Sequence, residues 1–199
     1  MTMPPFKARI GRPRATAADS HEAILTAVYD LLHEMSVREL TMDKVAKRAG
    51  VGKPTLYRWW KSKPALVIAM FNERIVPTLN APEGTTLEAS IRLKVERLVS
   101  AFNGFFGKVI SELVAEGQGD PEILRELNDG YIQSRRAGTI GEIIEAQEQG
   151  TVPKEIDPEI VVDAIFGSLY FTLLLKLRPL SPDYADRVVS LSKTMLALS

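Results

Sequence analysis

The chain has 199 residues, 45% of them hydrophobic, with 25 Lys+Arg balanced by 25 Asp+Glu and no cysteine. That length and apolar fraction fit one large or two small globular domains and rule out disorder along the whole chain. Without Cys, and with His21 and His33 as the only imidazoles, there is no basis for a disulfide framework, an iron–sulfur cluster, a Cys nucleophile or a multi-histidine metal centre, so no metal or cofactor is expected.

The neutral total conceals an asymmetry. Residues 1–67 hold 12 Lys+Arg and 6 Asp+Glu, whereas residues 68–199 hold the remaining 13 and 19. A basic module joined to an acidic one predicts that the first part meets a polyanion, and charge alone does not choose between nucleic acid and membrane. The start, MTMPPFKARIGRPR, lacks the apolar stretch of a secretory signal. The longest uncharged apolar run, Ala164 to Leu175, has 12 residues, short of the ~20 that span a bilayer. The expectation is a cytoplasmic protein with no membrane partner.

Helical periodicity begins near residue 18, where Ile24, Ala27, Val28, Leu31, Leu32 and Met35 share one helix face behind Asp19 or Ser20 as cap. Thr41 caps a short second helix with Met42, Val45, Ala46 and Ala49 turned inward, and Gly50 supplies a left-handed stop. Gly52 opens a third helix with Pro54 in its first turn and Leu56 and Trp60 on its inner face. Ser62 caps a fourth, which has Pro64 in its first turn and runs to about Leu79. Pro77 to Thr86 reads as a linker, dividing a flexible basic arm (1–17) and a first domain (18–76) from a second (86–199). Beyond it the pattern predicts helices near 86–103, 105–116, 121–149, 158–177 and 182–198 with no sustained strand alternation. The fold class is all-α: a small N-terminal unit and a larger C-terminal helical bundle.

Two short helices joined by Ala49-Gly50-Val51-Gly52, braced by a longer preceding helix in the basic part of the chain, form a helix-turn-helix pattern. Lys53, Thr55 and Tyr57 then face outward from the third helix. Such side chains reach base edges in a major groove, a Lys preferring guanine O6 or N7 and a Thr meeting a thymine methyl or a phosphate. The ordered residues Thr41, Val45-Ala46, Ala49-Gly50-Val51-Gly52, Leu56-Tyr57-Arg58-Trp59-Trp60-Lys61-Ser62-Lys63 and Leu66 resemble the DNA-binding signature of the TetR family of bacterial transcriptional regulators. The resemblance covers residues 18 to about 66. It implies that Thr41 contacts phosphate, that Lys53 and Thr55 read the groove, that Tyr57 and Lys63 grip phosphates, and that Trp59 touches the backbone.

Gly52 stands where Ser or Thr is commoner, Pro64 where Glu is common, and Ser36 where a Gly usually ends the first helix, at up to ~1 kcal/mol if that site is left-handed. Leu56 and Trp60 read as small-core residues, and Lys44, Lys47 and Arg48 as a solvated face on which Lys44 is the best contact. His21 and His33 read as ordinary helix-surface residues. Upstream, Arg9, Arg12 and Arg14 lie in a segment too rich in Gly, Pro and charge to fold alone. It is either a solvated tail or an arm entering the minor groove, as GRPR before the first helix suggests in this family.

In the second domain, Tyr184, Val188, Leu191, Met195 and Leu198 recur as a heptad-like seam, and the preceding helix is apolar nearly all round. The resemblance implies a homodimer packed through these two helices, with Val162, Ile165 and Leu169 on the first of them; burial within one chain is the competing reading. A pocket for a hydrophobic or aromatic small molecule is likewise implied, with Phe102, Phe106, Tyr131, Phe166 and Tyr170 as candidate lining and core packing as the alternative for each. Arg135 and Arg136 could orient an anionic ligand or form an exposed charged face. The expected function is a ligand-released repressor that binds a palindromic operator in double-stranded DNA as a dimer. Its alternatives are a ligand-independent or activating regulator and, remotely, a helical-bundle enzyme using Glu145 with Glu148 or Asp157 with Glu159, against which stands the lack of any His beyond residue 33.

Overall fold

A computed structural model describes residues 17–198, and every regular element among them is helical. The N-terminal unit comprises α1 (Ala17–Glu34), α2 (Met42–Ala49), α3 (Lys53–Trp59) and α4 (Lys63–Arg74). Of the expected inner face, Ile24, Ala27, Val28, Leu31 and Leu32 of α1 close over Val45, Ala46, Leu56 and Trp60, joined by Leu25, while Met35, Met42 and Ala49 are only partly buried. The Thr41 hydroxyl caps α2 by accepting from the Lys44 N–H at 3.2 Å, and Gly50 ends it at φ 66°. Arg48 grips Glu34 through two hydrogen bonds of 2.9 and 2.7 Å, fixing α2 on α1. Ser36 is not left-handed; its N–H and hydroxyl donate to the Glu39 carboxylate at 3.0 and 2.8 Å, so the residue carries no backbone penalty.

The fourth helix stops short of Leu79. Pro77 lacks the N–H that would bond the Glu73 carbonyl, so α4 ends at Arg74 and the chain bends into a single turn, α5 (Val76–Leu79). Leu79 is buried, so the first part of the expected linker is packed structure.

The C-terminal bundle contains α6 (Leu87–Phe102), α7 (Phe105–Gly117), α8 (Pro121–Leu127), α9 (Gln133–Glu148), α10 (Pro158–Leu175) and α11 (Pro182–Met195). α11 lies along α6, and α10 packs against α9 and α11. The helix expected at 121–149 is interrupted by a π turn, Asn128–Ile132, in which the Gln133 N–H reaches back five residues to the Asn128 carbonyl. The α6–α7 corner is tight: a Cβ on Gly107 would stand 1.9 Å from the Phe102 carbonyl oxygen, so only glycine fits there. By length and apolarity α10 is the one described helix that could cross a membrane. Here it buries Val161, Val162, Ile165, Leu169 and Thr172 against its own chain.

The two units meet where α4 packs on α8 and the π turn, and a polar face of α7 adds to the contact. Lys108, Glu112 and Glu116, each a helical turn apart, meet the end of α1 and the start of α4. Lys108 donates to the Leu32 and Met35 carbonyls at 2.9 and 3.1 Å. Glu112 accepts from the Val37 N–H at 2.7 Å. Beside this ladder, Phe105 stacks on His33 with ring centroids 4.0 Å apart.

Candidate nucleic-acid interface and ligand cavity

The turn after α2 places α3 on the surface with Leu56 turned inward. Lys53, Tyr57 and Trp59 are exposed, the two aromatics at 43% and 44%, and Thr55 is half-buried. Gly52 caps α3 without a side-chain bond. Lys53 forms a 2.6 Å ion pair with exposed Asp43, which raises the lysine above its usual range. Its charge is therefore held, and a phosphate or base edge competes with a solvated carboxylate. Trp59 is braced by an edge contact with His21 and lies under Arg58. His21 also packs at a tilt against Trp60, ring centroids 5.0 Å apart, and reaches Glu73 at 3.3 Å, so it joins α1, α3 and α4 rather than decorating a surface. Lys44 is exposed but gives one donor to the Glu39 carbonyl at 2.7 Å. Arg9, Arg12 and Arg14 lie outside the described residues.

Lys63 requires correction. It points away from α3: its Nζ donates to the Val37 carbonyl at 2.8 Å and to Glu116 at 3.0 Å, inside the contact between the units. Pro64 is buried in the first turn of α4, and next to it Ser62 both caps that helix and donates to Glu126 of α8 at 2.6 and 2.8 Å.

A cavity of about 270 Å³ lies in the C-terminal bundle between α6, the π turn, α9 and α10. Leu98, Ile132, Val162, Phe166 and Gly167 supply apolar wall; Tyr131, Tyr170, Arg135, Arg136, Thr139 and Asp163 supply polar groups. The Tyr170 hydroxyl donates to that of Tyr131 at 3.4 Å. Desolvation pushes both phenols up, so they remain protonated and able to donate. Phe102 and Phe106, expected as lining, stand behind the wall: Phe102 packs edge-on against Tyr170 at 4.9 Å and Phe106 against Tyr131 at 5.8 Å. They shape the site without facing it.

Comparison with known proteins places both halves in one group. Residues 24–70 match the family described as bacterial regulatory proteins, tetR family, and residues 81–191 match the tetracyclin repressor-like C-terminal domain. The chain belongs to the TetR family of transcriptional regulators. The HTH-type regulator YdeS of Bacillus subtilis (strain 168), itself uncharacterized, is 31% identical over 195 residues, 98% of each chain. The crystal structure of the TetR-family regulator SCO0332 aligns with a TM-score of 0.77 at 27% identity, covering 90% of this chain and 97% of that one. FadR of Bacillus subtilis, in complex with stearoyl-CoA, shares the fold with a TM-score of 0.60 at 21% identity over 89% of this chain and 96% of its own. This chain is thus a helix-turn-helix DNA-binding regulator.

For a TetR-family chain the outer face of the last two helices matters, because members typically dimerise. Val162, Ile165 and Leu169, expected there, are buried in the chain's own core. Val188 is buried too, while Tyr184, Met195 and Leu198 are half-buried. The Tyr184 hydroxyl is spent within the subunit, shared with Thr172 at 3.0 Å. Leu191 stays exposed at 52%, beside an α10 face of Ile160, Ala164, Gly167, Phe171, Leu174 and Leu175. Because α10 is apolar on all sides, periodicity could not tell its inner stripe from its outer one. Sequence reasoning also missed the α7 ladder, whose signal was present: charges at 108, 112 and 116 on one face of an otherwise apolar helix.

Proposed function

We propose that this TetR-family regulator is a cytoplasmic, homodimeric repressor that leaves a palindromic operator when a small ligand enters the C-terminal cavity. Lys53 and Thr55 read the major groove, while Thr41, Lys44, Tyr57 and Trp59 meet the phosphate backbone, Gly52 allows close approach at the helix start, and Arg9, Arg12 and Arg14 follow the minor groove. A dimer presents two such helices to half-sites ~34–36 Å apart or at a larger interval along one DNA face. Exposed Phe171, Leu174, Leu175 and Leu191 support dimerisation through α10 and α11. Family membership points to a regulator, not an enzyme.

One observation carries the ligand control. Tyr131 lines the cavity, and its neighbour Gly130 accepts a 2.8 Å hydrogen bond from Asn72 of α4, the helix leading out of the DNA-binding unit. Movement of the π turn on ligand entry therefore pulls on α4 and changes the separation of the two reading helices. A regulator that works without ligand needs no cavity at this joint, which favours ligand control over a ligand-independent reading. The FadR neighbour holding stearoyl-CoA supports a small-molecule role for this fold. The test is to recover the operator from genomic DNA retained by the protein at low salt, then to follow a labelled copy by fluorescence anisotropy while small hydrophobic compounds are added. Release by compounds that also raise the melting temperature of the free protein is the expected result. Binding to the operator that no stabilising compound weakens would leave a ligand-independent regulator.

A further inference from the structure

The cations around the cavity are not equally balanced. Arg136 is neutralised by Asp163 and Glu159 at 2.8 and 3.8 Å. Lys94, buried behind Thr139, is neutralised by Glu142, both of whose carboxylate oxygens lie 2.7 Å from its Nζ. Arg135 forms no ion pair among the described residues; its guanidinium donates to the neutral side chain of Asn80, at the end of α5. Its charge also acts on both cavity phenols, favouring their ionised form against the larger effect of desolvation. In a mostly apolar chamber, Arg135 is therefore the lining cation that has no carboxylate of its own.

We propose that the cavity takes a small monoanionic amphiphile, an aliphatic or aromatic body ending in a carboxylate, with Arg135 pairing the carboxylate and the Tyr131 hydroxyl, which itself accepts from Tyr170, donating beside it. The proposal rests on the cavity being the ligand site and names the class of its occupant. A neutral ligand filling this space strips water from Arg135 without offering a counter-charge, whereas a carboxylate offers one in the paired geometry that matches a guanidinium. The apolar body lies against Leu98, Ile132, Val162 and Phe166. At about 270 Å³ the chamber falls at the small end of ligand sites, which run ~300–1,000 Å³, so it suits a small acid. A carboxylate on Arg135 also competes with Asn80 for the same guanidinium, linking occupancy to the end of α5.

The test uses the full chain without DNA and two matched probe pairs: octanoate with octanamide, and 3-phenylpropanoate with 3-phenylpropanamide. Isothermal titration calorimetry is expected to give acids binding at least about tenfold tighter than their amides, the scale of a hydrogen bond to a charged group. Arg135→Gln should abolish that preference while keeping amide binding, and retained amide binding also shows that the variant is folded. Arg135→Lys should keep part of the preference. Arg125→Gln, on α8 and outside the cavity lining, should keep all of it. Acids and amides binding alike, or a preference that persists in Arg135→Gln, would overturn the charge-reading role and leave the cavity as a ligand site. If none of the four probes binds, the small-acid proposal falls whether or not operator release by some other compound is found.

Discussion

Lys53 and Lys63 are both lysines at the first position of a helix, yet their surroundings give them opposite predictions. Lys53 stands in solvent against Asp43 alone, so Lys53→Ala should keep the fold and relax base preference at one base pair per half-site by ~1–3 kcal/mol, read from selection of randomised operators. Lys63 fills the contact between the units, and Glu116 Oε1 already lacks a partner among the described residues. Removing the ammonium strands that carboxylate and the Val37 carbonyl. Lys63→Ala should therefore cost ~1–3 kcal/mol in urea unfolding and leave the slope of affinity against salt unchanged. A slope reduced by about one unit would return Lys63 to the phosphate contacts. Glycines differ in the same way. Gly107→Ala drives a methyl into the Phe102 carbonyl and should destabilise by ~1–3 kcal/mol. Gly138→Ala, in α9 with open space around it, should stabilise by ~0.5–1 kcal/mol, both read by urea denaturation.

Among the elements, α10 divides its two faces between core and outer surface. Leu169 looks inward and is fully buried, while Phe171, two residues on, is 57% exposed. Phe171→Glu with Leu191→Glu should give a folded monomer by light scattering that binds operator weakly, because the charges fall on the outer face of α10 and α11. Leu169→Glu should unfold the chain instead, since it forces an unpaired charge into the core. A dimer that survives the first pair of changes would move the interface off these helices. The π turn divides its work on a shorter scale: of two adjacent residues, Gly130 holds α4 and Tyr131 lines the cavity.

At the scale of the whole molecule, the DNA-binding unit and the bundle are in contact through the α7 ladder and the Asn72–Gly130 bond, and the Arg135–Asn80 bond ties the cavity to the segment between them. Linkage requires that any ligand that weakens operator binding be weakened by operator to the same degree, typically by ~1–3 kcal/mol. With octanoate as probe, Asn72→Ala should preserve its affinity for the free protein and operator affinity without it, while shrinking the difference between free and DNA-bound protein. Titration of octanoate against both forms measures this. An undiminished difference would place the coupling in α7 or at Asn80.

What the sequence determined by itself was whatever local chemistry decides. Periodicity with contrast, as in α1, fixed the inward stripe; Thr41, Gly50, Ser62 and Pro64 marked helix ends; the order of residues from Thr41 to Leu66 carried the family. These signals survive because caps, turns and amphipathic faces are properties of a few consecutive residues. Tertiary structure decided the rest. Only packing distinguishes Lys63 from Lys53, since a lysine's partners lie far along the chain. Only packing separates the buried and exposed sides of α10, where every side is apolar. And the cavity exists because α6, the π turn, α9 and α10 meet imperfectly, so that Arg135 lines it while Phe102 and Phe106 stand behind its wall; a void between helices has no signature in any one of them.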